Sequence, residues 1–499
     1  MNIRRILSIL PVAAALLLSG CSSAPLVPVQ ENEFVSLPPS AYQAPAAPVS
    51  DSRSERTART MLYFIASDQQ QLTGIYYTIR ATGNQTLEEA AVMRLLSSTP
   101  VLGLIPVAPE GTALRGMEIS QGVATVDLTV EALTAQPQDL MRMIAAITVT
   151  LTQFDSVSCV NVLIGGRAPY AYDLPVGART ATEGSLTGLI AQQQSDTERY
   201  LADPAQAQIE RQVVLYFSSW QDDLLVPEVA SIRLTSGNIA RDVIAAMTPG
   251  PKDTSISHRV LPADAVLLRD PVTEIQDDGR RVLRLDFNEG FTQSLSQAGL
   301  SLRQSLCALT YTLVRFLPEI DALTVYEGDQ PIRSVDDAQG RTVFRQGLIT
   351  ADSFDHRIGR SVQLYFAGNS GKLERAQRVL DLASAVSPRA LLSQLIQGPY
   401  VFDGALHSAI PDGVTEADVL GIRQEDNLLL VNFSDNFYRL CQSLNESEER
   451  LLAYAIVNTL SEMDGIDRVQ FYFAGEIADT LSGNICLTEP LIANPDLTG

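Results

Sequence analysis

One short phrase, Leu-Tyr-Phe, occurs three times in this chain at nearly constant spacing. It stands at residues 62–64, 215–217 and 364–366, so its tyrosines are 153 (216 − 63) and 149 (365 − 216) residues apart. A fixed period in a chain of 499 residues predicts one domain built three times. Each unit of about 110–120 residues is long enough to bury a core of its own. We therefore expect three similar domains in series: copies one, two and three.

The repeat, with the composition of the segments around it, predicts the boundaries of the chain's parts. These are a signal peptide (1–20), a tether rich in proline and alanine (21–58), copy one (59–172), a linker (173–210), copy two (211–335), a second linker (336–358), copy three (359–479) and a C-terminal tail (480–499). A proline-containing tether is extended, so it would hold the domains away from whatever its first residue is attached to.

The first twenty residues have the pattern of a targeting segment. Arg4 and Arg5 precede an apolar run at 6–18, and Ser19-Gly20 supplies small residues before Cys21. Leu18-Ser19-Gly20-Cys21 is similar to a bacterial lipobox, in which Cys21 becomes the lipidated N-terminus, carrying acyl chains such as palmitate. A plain secretory signal is the alternative. We expect Cys21 to anchor the protein to the outer face of the cytoplasmic membrane, since two or more acyl chains give stable anchoring.

The charge balance bears on the partners. The full chain has a net charge of −22, and removing residues 1–20 takes away two arginines and gives 34 − 58 = −24. Such an acidic protein is not expected to bind nucleic acid or to lie flat on anionic lipid. A solvated surface that keeps the protein soluble explains the charge. The more specific alternative is that one acidic face binds a basic partner.

Each copy shows the same order of predicted elements. Two extended segments come first, then a helix, two more extended segments, a long amphipathic helix and a closing strand. Helix starts are indicated by Thr86 with Glu89, by Asn238 and by Ser387-Pro388, and helix stops by prolines at 100, 251 and 399. The fold class is therefore α+β, with a mixed sheet packed on two helices in each of three two-layer sandwich domains.

The ordered set of motifs resembles the GerMN domain of sporulation and germination lipoproteins. The resemblance rests on residues 214–217 and 225–228, Gly250-Pro251, Leu261-Pro262, residues 283–287 and residues 317–321 of copy two. Copy three repeats it with Asn432-Phe433, residues 458–460 and residues 465–469, while copy one is the most diverged. The resemblance implies a compact sandwich similar to the ring-building motifs of secretion and sporulation channels. It also implies a lipoprotein that supports an envelope complex, with assembly into a homo-oligomer or a ring left open.

No catalytic, cofactor or metal site is predicted. The three histidines, His258, His356 and His407, stand apart, and we find no nucleophile, zinc, P-loop or dinucleotide motif. Asp127, Asp286 and Asn432 recur at the end of the clearest strand. A general acid or base requires a carboxylate there, and asparagine cannot serve, so we interpret this position as turn-forming and expect Asp286→Asn to be harmless.

The repeated tyrosines and the cysteines also receive structural interpretations. Tyr63, Tyr216 and Tyr365 could stack on a glycan, but aromatic residues in strands more often belong to the core. Cys307 is predicted in the core, and Cys441 and Cys486 are either free thiols or a bridge.

Two functions fit these observations. The first is a non-enzymatic, lipid-anchored scaffold or assembly factor for a complex of envelope proteins, related to sporulation or germination. The alternative is a lipoprotein that binds peptidoglycan or another glycan at the cell surface. Neither involves a small-molecule cofactor.

Overall fold

The computed structural model describes residues 44–499 except 54, 98–103, 182–185, 221–222, 318, 339 and 355–356. The predicted signal peptide, Cys21, the tether up to residue 43, the helix stop at 99–100 and His356 lie outside the described residues. The chain divides into residues 1–45 and one compact unit of residues 46–499. No helix in the described part is long and apolar enough to cross a membrane.

Each copy opens with an antiparallel hairpin whose first strand carries Leu-Tyr-Phe. Because Leu62 and Phe64 and their counterparts are buried, this strand is fixed against the core. The hairpins are Arg56–Ala66 with Leu72–Ala81, Ile209–Ser219 with Leu224–Leu234, and Arg357–Ala367 with Leu373–Asp381. The predicted opening strands are thus confirmed, and each begins several residues earlier than the apolar pattern alone suggested.

A first helix follows each hairpin, and its predicted start is confirmed in all three copies. The helices are Leu87–Ser97, Ile239–Met247 and Pro388–Gln397. Thr86 and Glu89 form the reciprocal pair of bonds of a capping box, both 3.0 Å long. Asn238 accepts from the backbone N–H of Arg241 at 3.1 Å, and Ser387 accepts from that of Ala390 at 3.3 Å. These side chains satisfy N–H groups that have no partner inside the helix.

A second sheet in each copy is built around an edge strand, a central strand and a closing strand, and one or two short strands extend it. The edge strands are Leu114–Ser120, Val272–Ile275 and Val419–Glu425. The central strands are Val123–Leu128, Arg281–Phe287 and Leu428–Phe433, and the closing strands are Cys159–Ile164, Ala322–Glu327 and Arg468–Phe473. The central strand is antiparallel to the edge strand and parallel to the closing strand.

A parallel pair requires a crossover, and the long helix supplies it in each copy. The long helices are Pro137–Leu151, Leu302–Phe316 and Glu446–Ser461. In copy two the stripe of Leu306, Leu309 and Leu313 is fully buried in the same core as the opening strand. The α+β class is confirmed. The strands of each copy are divided between two sheets, and the long helix contacts the first hairpin strand of one sheet and the closing strand of the other.

The copies are in direct contact inside the compact unit. The second strand of the copy-two hairpin pairs in parallel with the first strand of the copy-three hairpin, Leu224 opposite Arg357 and Leu225 opposite Ile358. Between copies one and two, Arg315 Nη1 donates to Glu118 Oε2 at 2.9 Å. Burial lowers the pKa of Arg315, but the neighbouring Tyr216 and Glu118 raise it by more, so the pKa lies above its usual value.

The segments predicted as linkers contain regular structure. In 173–210, helix Leu186–Ala202 is held by Arg211, which donates to Asp196 Oδ2 at 2.8 Å and to Gln193 Oε1 at 3.1 Å. Helix Pro204–Ala207 is joined to it by Arg199, which donates to Ala207 O at 3.1 Å. In 336–358, strand Gly340–Val343 pairs back on Ser334–Asp337. The first segment looks polar in sequence because its buried polar residues, Gln193 and Asp196, are paired with Arg211 of copy two.

The tail is also attached to its copy. Leu491–Ile492 extends the copy-three sheet by pairing with Arg468 and Val469. The remaining short elements are helices Phe291–Gln297, Leu382–Ala385 and Asp435–Cys441, and strands Ser52–Arg53, Leu104–Ile105, Tyr170–Ala171, Leu174–Pro175, Arg179–Thr180, Ser257–His258 and Gln330–Pro331.

Candidate docking surface

The repeated polar position at the end of the central strand is structural in copies one and three. Asp127 Oδ1 accepts from the backbone N–H of Gly166 at 2.8 Å, and Asn432 Oδ1 accepts from that of Gly475 at 3.0 Å. Each bond ties the central strand to the loop that follows the closing strand. The contact therefore spans more of the chain than the local turn that the sequence predicted. An amide oxygen and a carboxylate oxygen serve equally here, because both accept a hydrogen bond.

Asp286 differs from its counterparts in copies one and three. Its carboxylate is buried, and it accepts from Arg284 Nε at 3.0 Å and from Arg269 Nε at 3.0 Å. This is a buried acid with two cationic partners, which needs its charge. We therefore expect Asp286→Asn to lower stability, because asparagine would leave Arg269 without this carboxylate partner and Arg284 with only Glu274, 3.9 Å away.

The repeated tyrosines do not form a glycan platform. Tyr216 and Tyr365 are buried, and Tyr63 is half-buried. Arg315 Nη1 donates to the Tyr216 hydroxyl at 2.7 Å, and the Tyr365 hydroxyl donates to Glu462 Oε1 at 2.5 Å. The aromatic rings therefore belong to the core, and their hydroxyls are used in hydrogen bonds near its border.

The described histidines lie in different copies and do not converge. His258 packs beside Trp220 with ring centroids 4.6 Å apart, and His407 Nε2 bonds Asn369 Oδ1 at 2.8 Å. Burial lowers the pKa of His258. Within the described ranges, no group of three or more histidine, cysteine, aspartate and glutamate side chains could hold a metal ion.

The described cysteines are free thiols, and three of the four are buried. Burial raises the pKa of Cys307 and of Cys441 to about 12, so neither is poised to act as a nucleophile. The core assignment of Cys307 is confirmed. Cys441 is buried and Cys486 is exposed, and both carry free thiols.

The edge strands of the three copies differ in what covers them. In copy one, the edge strand Leu114–Ser120 lies beside the opening strand of copy three. Ser120 Oγ donates to the carbonyl oxygen of Gly359 at 2.5 Å, across 239 positions of sequence. Copy three thus shields the edge of copy one.

In copy three, the N-terminal end of the described chain covers the edge. Ser52 and Arg53 pair in parallel with Arg423 and Gln424 of the edge strand. Asn432 Nδ2 donates to the carbonyl oxygen of Pro48 at 2.9 Å. A side chain could not be accommodated at Gly421, because a Cβ atom there would lie 2.8 Å from that same Pro48 oxygen. Residues 46–53, assigned to the tether by composition, therefore form part of copy three's surface; we call them the clasp.

In copy two, the edge strand Val272–Ile275 is the outermost strand of its sheet, and every residue of it is exposed. Val272 is 53% exposed and Ile275 is 70% exposed. Just before them, Val266 and Leu268 continue the same edge and are also exposed, with Leu268 N–H donating to Asp286 O at 2.8 Å. We call Val266, Leu268, Val272 and Ile275 the open edge.

From residue 266 to residue 280, four acidic side chains outnumber two basic ones, Arg269 and Arg280. Glu274 lies within the edge strand, and Asp277 and Asp278 are in the turn that follows it. Arg280 holds the pKa of Asp278 below its usual value by hydrogen bonding to it. An exposed apolar strand edge with acidic neighbours can pair its backbone with another extended chain and favours a basic one.

A comparison with protein-family models matches two of the three copies. A model of the Germane family, described as sporulation and spore germination, matches residues 61–169 and 363–479, which lie in copies one and three. No curated protein sequence matches the chain. The middle copy is not matched, although its elements follow the same order.

Among solved structures, the tandem GerMN domains of the sporulation protein GerM from Bacillus subtilis match 60% of this chain and 99% of that chain, at 19% identity and a TM-score of 0.25. The first GerMN domain of the same protein matches 22% of this chain and 84% of that chain, at 25% identity and a TM-score of 0.19. A predicted lipoprotein from Clostridium perfringens matches 27% and 87%, at 21% identity and a TM-score of 0.20.

The fold defines the class first: an α+β protein that repeats one domain type in tandem. The family match then makes the assignment specific. Residues 61–169 and 363–479 are GerMN-type domains of the Germane family, which is described as sporulation and spore germination.

Proposed function

We propose that this protein is a non-enzymatic scaffold or assembly factor of the bacterial envelope, anchored by lipid at Cys21. In this proposal, the open edge of copy two binds an extended segment of an envelope protein that takes part in sporulation or germination.

The observation that carries the proposal is the contrast between the three edges. Copy three's edge is already paired with an extended segment, the clasp, through Ser52 and Arg53. Copy one's edge is bonded to copy three through Ser120. Copy two's edge alone, within the described residues, exposes a row of apolar side chains. An exposed apolar edge is a hazard for aggregation unless a partner covers it.

The partner segment should be extended, with apolar residues alternating with basic ones. Backbone pairing would supply much of the affinity, and contacts with Val272 and Ile275 would supply specificity. Glu274, Asp277 and Asp278 favour lysine or arginine in the partner and disfavour acidic segments. Pro271 lacks an N–H, which limits the length over which a partner can pair.

The proposal is tested by placing a charge on the open edge. Ile275→Lys should abolish recovery of the partner from detergent-solubilised membranes. Ile492→Lys is the matched control, because Ile492 is an isoleucine in a short strand of copy three that is 64% exposed. Equal recovery with both variants would refute the role of the open edge.

One observation favours glycan binding as a second candidate. Trp220 is 59% exposed, and its Nε1–H donates to Thr254 O at 2.9 Å, which fixes the ring with a face toward solvent. Fixed exposed aromatic rings can stack on sugars. Sedimentation with purified peptidoglycan that resists salt and is lost in Trp220→Ala would support this function, and no sedimentation would exclude it.

A further inference from the structure

A cavity of about 740 Å³ lies inside the compact unit, lined by residues of copy one, copy three and the clasp. Its apolar wall includes Met117 and Ile119 of copy one and Leu382 and Val386 of copy three. A volume of this size is within the range of sites that bind small organic ligands. The cavity is distinct from the open edge, so a ligand could bind there whether or not the open edge docks a partner.

Two arginines at residues 53 and 56 line this cavity. Arg53 uses its guanidinium on neutral acceptors, with Nε donating to Gln424 Oε1 and Nη2 to Val386 O, each at 3.1 Å. Arg56 Nη2 donates to the carbonyl oxygen of Gln85, and its Nε is buried with no hydrogen-bond partner. Among the described ion pairs, neither arginine has a carboxylate partner. Both are half-buried cations with donor capacity left over.

Burial and mutual repulsion oppose the charge on these arginines. Burial lowers the pKa of Arg53, and the nearby Arg56 lowers it further. Burial also lowers the pKa of Arg56, against the attraction of Glu88 and Glu89. Two close cations that are partly desolvated and lack ion pairs are costly to the folded protein, and an anion placed between them would relieve that cost.

The carboxylates around the cavity do not supply that anion. Glu89 is bonded to the backbone of Thr86 as a helix cap, and Glu88 accepts from Ser156 Oγ at 2.5 Å. The other acids that line the cavity are exposed at its rim; they are Asp155, Asp426, Glu462 and Asp464. Of these, Asp464 is paired with Arg360 at 3.2 Å and Glu462 accepts from Tyr365. Glu88 and Glu89 keep their charges and attract Arg56 from a distance, but neither accepts a hydrogen bond from it, so Arg53 and Arg56 retain donors that a ligand's carboxylate could use.

We propose that this cavity is a binding site for an apolar organic anion, a carboxylate carried on an apolar body. The carboxylate would accept hydrogen bonds from Arg53 and Arg56, and the apolar body would lie against Met117, Ile119 and Leu382. A fatty acid and the C-terminus of an apolar peptide share this chemistry. Since the walls come from copies one and three, an occupied site would also strengthen the contact between them.

The test uses isothermal titration calorimetry on the full-length chain carrying Cys21→Ser, which prevents lipidation. Decanoate represents the fatty acid, with decyltrimethylammonium as its cationic control. A tetrapeptide of valine and leucine with a free C-terminus represents the peptide, with its C-terminal amide as the neutral control. We expect one equivalent of decanoate or of the peptide acid to bind, and neither control to bind. Whichever of the two anions binds with the higher affinity shows whether the natural ligand is a fatty acid or a peptide C-terminus.

Variants decide whether the arginines and the cavity are responsible. Replacing both arginines, Arg53→Gln with Arg56→Gln, should lower the affinity for the anion by about tenfold or more, because the double variant lacks the charge-assisted hydrogen bonds. Arg80→Gln is the matched control, since Arg80 pairs with Glu55 on the surface. Ala383→Trp leaves both arginines in place and should block binding by filling the cavity that Ala383 lines.

Circular dichroism and the melting temperature show whether each variant is folded. Bound anion should raise the melting temperature of the parent chain and of Arg80→Gln, but not that of Ala383→Trp. Failure of both anions to bind the parent chain, or equal binding by the parent, the double variant and Ala383→Trp, would overturn the proposal.

Discussion

The backbone N–H of Tyr216 donates to the side-chain hydroxyl of Thr312 at 3.1 Å, joining the opening strand of copy two to its long helix. The same bond, with the same length of 3.1 Å, joins Tyr63 to Thr150 in copy one and Tyr365 to Thr459 in copy three. All three threonines are buried. The repeated Leu-Tyr-Phe therefore marks a repeated contact, and copy two has it although the family model does not match there.

Thr312→Val should destabilise copy two. Valine has nearly the shape of threonine but cannot accept a hydrogen bond, so the N–H of Tyr216 would be buried without a partner at a cost of about 1–2 kcal/mol. The free energy of unfolding from a urea titration measures this loss. Thr312→Ser keeps the hydroxyl and should recover the hydrogen bond; a valine variant as stable as the serine variant would contradict the role of the bond.

Asp286→Asn should lower stability by about 2 kcal/mol, because its buried carboxylate is shared by Arg284 and Arg269. Glu210→Gln is the control, since Glu210 and its partner Arg233 in the hairpin of copy two are both exposed. In Asp286→Asn, partner binding at the open edge should fall only by the fraction of the protein that is unfolded. Loss of partner binding by folded Asp286→Asn would instead indicate a direct functional role.

Glu449 should make the stability of copy three depend on pH. Burial would raise the pKa of this carboxyl, but hydrogen bonds from the backbone and side chains of Ser482 and Asn484 outweigh burial and hold the pKa below its usual value. Because its pKa is lower in the folded protein than in the unfolded chain, where it is about 4.3, ionised Glu449 stabilises the fold at any pH above about 4.3. This contribution is lost as the pH falls through the pKa of the folded state.

Comparison with Glu449→Gln isolates this contribution. At pH 7 the variant should be less stable by about 2 kcal/mol, since the carboxylate accepts from Leu481 N–H and Ser482 N–H, both at 3.0 Å, and from Asn484. The difference between the two proteins should shrink as pH falls below 4. A difference that is constant from pH 7 to pH 3 would contradict the assignment.

Asn432→Asp should release the clasp. A carboxylate cannot donate to the Pro48 carbonyl oxygen and would be repelled by it, while it could still accept from Gly475. Hydrogen exchange should increase in residues 46–53 and in the edge strand Val419–Glu425. Asp127→Asn, at the equivalent position of copy one, should leave exchange in the clasp unchanged; unchanged exchange in Asn432→Asp would show that Asn432 does not hold it.

Local sequence signals predicted the repeated elements well. The opening strands, the caps at Asn238 and Ser387 and the burial of Cys307 follow from apolar spacing and from side chains that bond within three residues. Such signals depend on neighbours in the sequence, and the three copies repeat them. The α+β class could therefore be predicted from the chain alone.

The covering of the edges could not be predicted in this way. Ser52 pairs with Arg423 across 371 positions, and copy one's Ser120 bonds Gly359 across 239. These contacts depend on how whole copies are arranged, which no local pattern encodes. The clasp looks like tether because it continues a segment rich in proline and alanine, yet its side chains hold it to copy three: Asp51 accepts from Arg389, and Arg53 donates to Gln424. The open edge becomes visible only when the three copies are compared in space.

Site-directed photo-crosslinking in intact cells tests the docking function most directly. Benzoylphenylalanine replaces Val272 at the open edge, or Ile492 as the control. We predict that the Val272 position forms an adduct with a single envelope protein, that the crosslinked peptide alternates apolar and basic residues, and that Ile275→Lys eliminates the adduct. Adducts that form equally at Ile492, or that persist in Ile275→Lys, would contradict a docking role for the open edge.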